Sequence, residues 1–136
     1  MKSLTLPAVA GSLRAFTDFV REGAAASGIA ADELGKLDLV LEEVLINVAR
    51  YAYAPGKGEV EVRYMEGGGK LRVEVIDSGR VFNPLENDPP DLSRGLAERP
   101  IGGLGVFLVK NMVETIDYRQ ENGRNVLFLT FPPGPR

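Results

Sequence analysis

At 136 residues, 44% apolar and 26% charged, with a net charge of −3, the chain has the make-up of one soluble globular domain large enough to bury a core. The absence of cysteine excludes disulfides, thiol nucleophiles and cysteine-bound zinc; the absence of histidine excludes a Ser-His-Asp triad, a phosphohistidine on this chain and a histidine metal ligand. The acidic balance argues against nucleic acid as a partner. No apolar run nears the ~20 residues of a membrane span and no signal-peptide pattern is present, so no membrane contact and a cytoplasmic location are expected.

Ser3 to Leu6 alternates and meets Pro7, which predicts an opening edge strand. From about Val9 to Ser27, Leu13, Phe16 and Val20 recur at helical spacing, and Gly28 supplies a stop. A second helix is expected from Ala31 through Leu34, Leu37, Val40, Leu41, Val44, Leu45 and Val48, ending near Tyr53–Gly56. Glu59–Met65 and Lys70–Ile76 alternate around Gly67-Gly68-Gly69, a hairpin whose glycines supply positive φ. Asn83 to Gly102 is broken by four prolines and lacks periodicity; a loop of that length inside a domain is usually functional or disordered. A helix near Gly103–Glu114 and strands near Ile116–Glu121 and Asn125–Phe131, joined by Asn122-Gly123, complete the order. The expectation is a single α+β domain over 1–136, with helices on one face of a mixed, mostly antiparallel sheet.

Three short patterns carry polar chemistry. Glu43 and Asn47 are four apart on the second helix, so they share a face one turn apart, bordered by Val40 and Val44. Alone, such a pair is ordinarily the edge of a solvated face. Glu42 is turned about 100° away around the helix. Asp77-Ser78-Gly79 ends a strand, which a plain turn also explains. Gly102-Gly103-Leu104-Gly105 opens the apolar Val106–Val113 helix, where backbone N–H groups and the helix N-terminus favour anions. Gly67-Gly68-Gly69-Lys70 lies in a hairpin with no helix after it, so it is no Walker-type phosphate loop.

In their order and spacing, Glu43-Val44-Leu45-Ile46-Asn47, Asp77-Ser78-Gly79-Arg80-Val81-Phe82-Asn83-Pro84 and Arg99–Phe107 resemble the three nucleotide-binding boxes of the Bergerat-fold ATPases, the group of gyrase, Hsp90, histidine kinases and MutL. The likeness is strongest to the small anti-sigma-factor serine/threonine kinases and extends over nearly all of the chain. It implies a two-layer α/β sandwich that binds ATP and Mg²⁺. Asn47 would be the metal ligand and Glu43 the general base, with Glu42 ranked second. Asp77 would accept from the adenine amino group beside Gly79 and Phe82, and Gly102, Gly103, Leu104, Gly105 and Val106 would cradle the phosphates. Residues 83–102 would form the ATP lid, with Arg94 and Arg99 as its cations. Val81 departs from the box's second glycine, so either the loop tolerates a side chain or nucleotide binding is weakened. Tyr51 stands where many relatives carry histidine or another polar residue. The implied activity is phosphotransfer to a serine or threonine of a small STAS-type antagonist, by a homodimer that also holds a sigma factor. A nucleotide-gated binding module without catalysis is the alternative.

Overall fold

The computed structural model describes residues 1–53, 56–80 and 111–131. Its elements are β1 (Lys2–Pro7), α1 (Leu13–Ala26), α2 (Leu34–Asn47), β2 (Glu59–Gly67), β3 (Lys70–Asp77), β4 (Thr115–Glu121) and β5 (Arg124–Phe131). The strands form one five-stranded sheet in the order β1-β2-β3-β5-β4, and each neighbouring pair is antiparallel. The expected α+β layering therefore holds, and no parallel pairing occurs among the described strands.

Turn chemistry sets the register. Gly68 and Gly69 take φ of 60° and 75° between β2 and β3, and Asn122 and Gly123 take 52° and 75° between β4 and β5. Two successive positive φ angles match the right-handed twist of paired strands. Gly67 is not in the turn but pairs with Lys70 as the last rung.

Alternation then separates the two faces of the sheet. The inward row carries Val60, Val62 and Tyr64 of β2, Leu71, Val73 and Val75 of β3, and Leu127, Leu129 and Phe131 of β5. Against it pack Phe16, Val20 and Ala24 of α1 and Leu37, Val40, Leu41, Val44 and Leu45 of α2. Each such Val, Leu or Phe side chain contributes about 1.5–3 kcal/mol on full burial. The outward rows carry charge: Arg63 pairs with Glu61 at 2.7 Å, and the Arg119 guanidinium lies 5.1 Å from the Phe128 ring centroid. Arg21 of α1 grips Asp38 of α2 with two guanidinium nitrogens. Both partners are substantially exposed, so this pair adds little stability.

Both helices start later than their periodicity predicts, because single 3-10 turns at Ala10–Ser12 and Ala31–Glu33 precede them. The second differs more at its far end. Its α-helical part stops at Asn47 and continues as a π-helical turn, Val48–Ala52. Of the expected helix at 103–114, residues 111–114 form turn and bend instead, and the remainder lies outside the described residues.

Candidate functional site

Four rungs of the β3–β5 ladder face the helices: Leu71 opposite Phe131, Val73 opposite Leu129, Val75 opposite Leu127, and Asp77 opposite Asn125. The last rung replaces two apolar side chains by a carboxyl and an amide, both buried. Asp77 Oδ1 accepts from the Gly79 N–H at 3.0 Å and from Asn125 Nδ2 at 2.9 Å. Burial pushes the Asp77 carboxyl above its ordinary range, and those two hydrogen bonds oppose the shift.

The end of α2 is docked against this rung. The Ala52 carbonyl, at the close of the π-helical turn, accepts from the Arg80 N–H at 2.8 Å. A Cβ at position 79 would lie 2.1 Å from that carbonyl oxygen, so only glycine permits the approach. Tyr53 adds a second tie: its hydroxyl accepts from the Ser78 N–H at 2.8 Å and donates to the Glu59 carbonyl at 2.6 Å. A widened helical turn thus joins the segment carrying Glu43 and Asn47 to the turn carrying Asp77 and Gly79, and such turns are frequent at functional sites.

On α2, Glu43 and Asn47 project from one face at the margin of the core stripe. Asn47 is buried, Glu43 half-buried and Glu42 exposed. Glu43 Oε1 is buried and has no hydrogen-bond partner among the described residues. Desolvation raises the Glu43 carboxyl, the Glu42 charge raises it further, and Arg50 pulls it back. A carboxylate oxygen kept dry and without a partner among the described residues costs stability, which makes Glu43 a candidate functional group.

Comparison with known proteins gives this arrangement a family. The family model described as the histidine kinase-like ATPase domain matches residues 6–131, nearly the whole chain. The chain belongs to the histidine kinase-like ATPase domain family. Among curated relatives, this ATPase domain is 26% identical over 108 residues to serine-protein kinase RsbW of Bacillus thuringiensis, covering 76% of this chain and 68% of that protein. RsbW of Bacillus anthracis matches with the same identity and coverage. Among solved structures, a blue-light activated histidine kinase of Erythrobacter litoralis superposes with a TM-score of 0.56 at 23% identity, over 76% of this chain but only 31% of that one. The histidine kinase domain of the same protein gives a TM-score of 0.57 at 19% identity, over 88% of this chain and 60% of that one. These likenesses show the shared fold.

For the ATPase domain as described, Glu43 and Asn47 lie on α2, Asp77 ends β3 and Gly79 lies in the turn that follows, as the sequence places them. Val81, Phe82, Arg94, Arg99, Gly102, Gly103, Leu104, Gly105 and Val106 lie outside the described residues, as does the 83–102 segment. Three contributors escaped the sequence reading: Asn125, Tyr53 and the Ala52 carbonyl. Asn125 left a trace, as a lone amide heading an otherwise apolar inward row of Leu127, Leu129 and Phe131. Tyr53 left none beyond marking a helix end. An open cleft of about 380 Å³ touches Asp77 and Ser78, but Glu43, Asn47 and Asn125 do not line it, so it is a separate surface feature.

Proposed function

We propose that the chain is an ATP-dependent serine/threonine protein kinase of the anti-sigma-factor type, acting on a small STAS-type antagonist and holding a sigma factor. The observation that carries the reading is Glu43: a carboxylate oxygen buried without a hydrogen-bond partner among the described residues, one helical turn before a buried asparagine, on the domain of an ATPase family. Similarity to serine-protein kinases at 26% identity supports the choice of acceptor residue. The chain has no histidine, so an acceptor histidine cannot lie on it.

Each described residue has a role in this reading. Asp77 accepts from the adenine amino group, and Gly79 keeps the backbone low enough for the base to approach. Asn47 offers its amide oxygen to Mg²⁺. Among the described residues no three His, Cys, Asp or Glu side chains gather to cage a metal. A Mg²⁺ ion bound with a nucleotide would need only one or two protein ligands, of which Asn47 would be one. Bound Mg²⁺–ATP supplies the transferable γ-phosphoryl group. Glu43 Oε1 takes the proton of the acceptor hydroxyl, and its raised pKa makes it a better base near neutrality. Gly102–Val106 would hold the phosphates and residues 83–102, with Arg99 or Arg94, would serve as the lid, as the family resemblance implies; these lie outside the described residues. No described helix is long and apolar enough to cross a membrane; the reading places the kinase in the cytoplasm as a homodimer.

The test is transfer of label from γ-labelled ATP to a STAS-type antagonist. The expected result is label on an antagonist serine or threonine, lost by about 10²- to 10⁴-fold in Glu43→Ala while ATP binding persists. Val81 in the second box favours a second reading, a nucleotide-gated binding module without catalysis. Tight ATP binding with no label on the antagonist would select it.

A further inference from the structure

Asn125 is held by its surroundings in one orientation. Its Nδ2 faces three oxygens: Asp77 Oδ1 at 2.9 Å, the Arg80 carbonyl at 2.9 Å and the Gly79 carbonyl at 3.4 Å. An amide nitrogen has two hydrogens, so the two short contacts are full bonds and the third is weak. Its Oδ1 accepts from the Tyr118 hydroxyl. Reversing the amide would turn its oxygen onto two carbonyls and a carboxylate, none able to donate. The tyrosine comes from β4, the edge strand, which carries no motif singled out in the sequence. Tyr118 pairs with Leu127, one inward rung from Asn125, so its ring reaches diagonally along the helix-facing row.

We infer that Tyr118 and Asn125 form a positioning relay that fixes the Asp77 carboxylate as an acceptor for a nucleobase amino group, making the edge strand β4 a determinant of base preference. The inference rests on the proposed role of Asp77. Both donors described for Asp77 converge on Oδ1, one from the following turn and one from the neighbouring strand. Rotation of the carboxylate breaks both bonds together. A carboxylate held in this way accepts from the amino group of adenine and repels the carbonyl at the same position of guanine. Without Asn125, the Gly79 N–H is the one donor left among the described residues, and the carboxyl can turn or bind a proton and become a donor. Without the Tyr118 hydroxyl, the amide loses the partner on its oxygen side and the orientation of the whole group loosens.

The experiment is titration calorimetry with Mg²⁺–ATP and Mg²⁺–GTP on wild type, Asp77→Asn, Asn125→Leu and Tyr118→Phe. Wild type is expected to prefer ATP, and Asp77→Asn to lose that preference. Tyr118→Phe is expected to weaken ATP binding about 3- to 10-fold, as for one lost hydrogen bond, with little change for GTP. Asn125→Leu should do more. The ratio of the two affinities is the decisive quantity, because a merely structural loss weakens both nucleotides alike. Tyr118→Phe keeps its ring, so the test survives if Asn125→Leu does not fold. If wild type binds both nucleotides equally, or Asp77→Asn keeps the ATP preference, the role of Asp77 fails and the relay fails with it. If Asp77→Asn loses the preference while Tyr118→Phe and any folded Asn125→Leu retain the wild-type ratio, the relay alone is overturned and Asp77 keeps its role.

Discussion

The β3–β5 ladder has two ends built on the same backbone geometry, with opposite chemistry. Leu71 and Phe131 close one end at 0% and 1% exposure; Asp77 and Asn125 close the other at 8% and 5%. At the apolar end burial is itself the stabilising force, and the two side chains need only fit. At the polar end every group needs a partner, and the carboxyl stays above its ordinary range even with two donors on it. On the proposed reading, stability is concentrated at one end of the ladder and nucleotide binding at the other. Substitutions at the two ends should separate these quantities.

The largest effect is expected at the apolar end. Phe131→Ala should destabilise the fold by about 3–5 kcal/mol in denaturant unfolding, through lost transfer energy and the cavity left behind. The molecules that remain folded should bind nucleotide as wild type does. At the polar end the pattern should invert. Asp77→Asn should weaken ATP binding by about 1.5–3 kcal/mol, roughly 10- to 150-fold. Its melting temperature without nucleotide should not fall, because a neutral isostere removes a buried charge. A drop as large as that of Phe131→Ala would abolish the distinction between the two ends. Gly79→Ala should cost about 1–3 kcal/mol of stability, since its Cβ must push into the Ala52 carbonyl and overpacking carries costs of that size. It should also lower nucleotide affinity by displacing the Asp77 turn.

The smallest effect is a pH dependence at Glu43. Its folded pKa is raised by burial and by Glu42, so the neutral form is favoured in the folded state. Wild type therefore has its full stability below the ordinary glutamate range and loses some as pH rises through the raised value. Glu43→Gln never ionises there. The two proteins should unfold alike in acid, and Glu43→Gln should become the more stable as pH approaches neutrality. Unfolding curves taken across that range check the sign.

The sequence was most legible where periodicity and turn chemistry agree. Alternation around Gly68-Gly69 and Asn122-Gly123 predicts both hairpins, and the 3.6-residue spacing of Leu37, Val40, Leu41, Val44 and Leu45 predicts the buried face of α2. The places of Glu43 and Asn47 on α2 and of Asp77 at the end of β3 were legible through spacing, while their joint role comes from the family resemblance and is a proposal. Two kinds of feature were not. The π-helical turn at Val48–Ala52 ends in a carbonyl that accepts from the Arg80 N–H, a contact between segments far apart in the chain that no local pattern encodes. The roles of Asn125 and Tyr118 depend on strand register, which places Asn125 opposite Asp77 across 48 positions of sequence. Asn125 is a single polar residue in an apolar row, and only the fold reveals what it faces.

The central claim is that the polar end of the ladder, with the close of α2, forms the nucleotide site. Backbone-amide NMR during titration with Mg²⁺ and a non-hydrolysable ATP analogue tests it most directly. The account predicts saturable shifts concentrated at Asn47, Asp77, Gly79, Arg80 and Asn125, with Leu71, Val73, Leu129 and Phe131 little changed. Shifts centred on the apolar end, or no saturable change at Asn47 and Asp77, would contradict it.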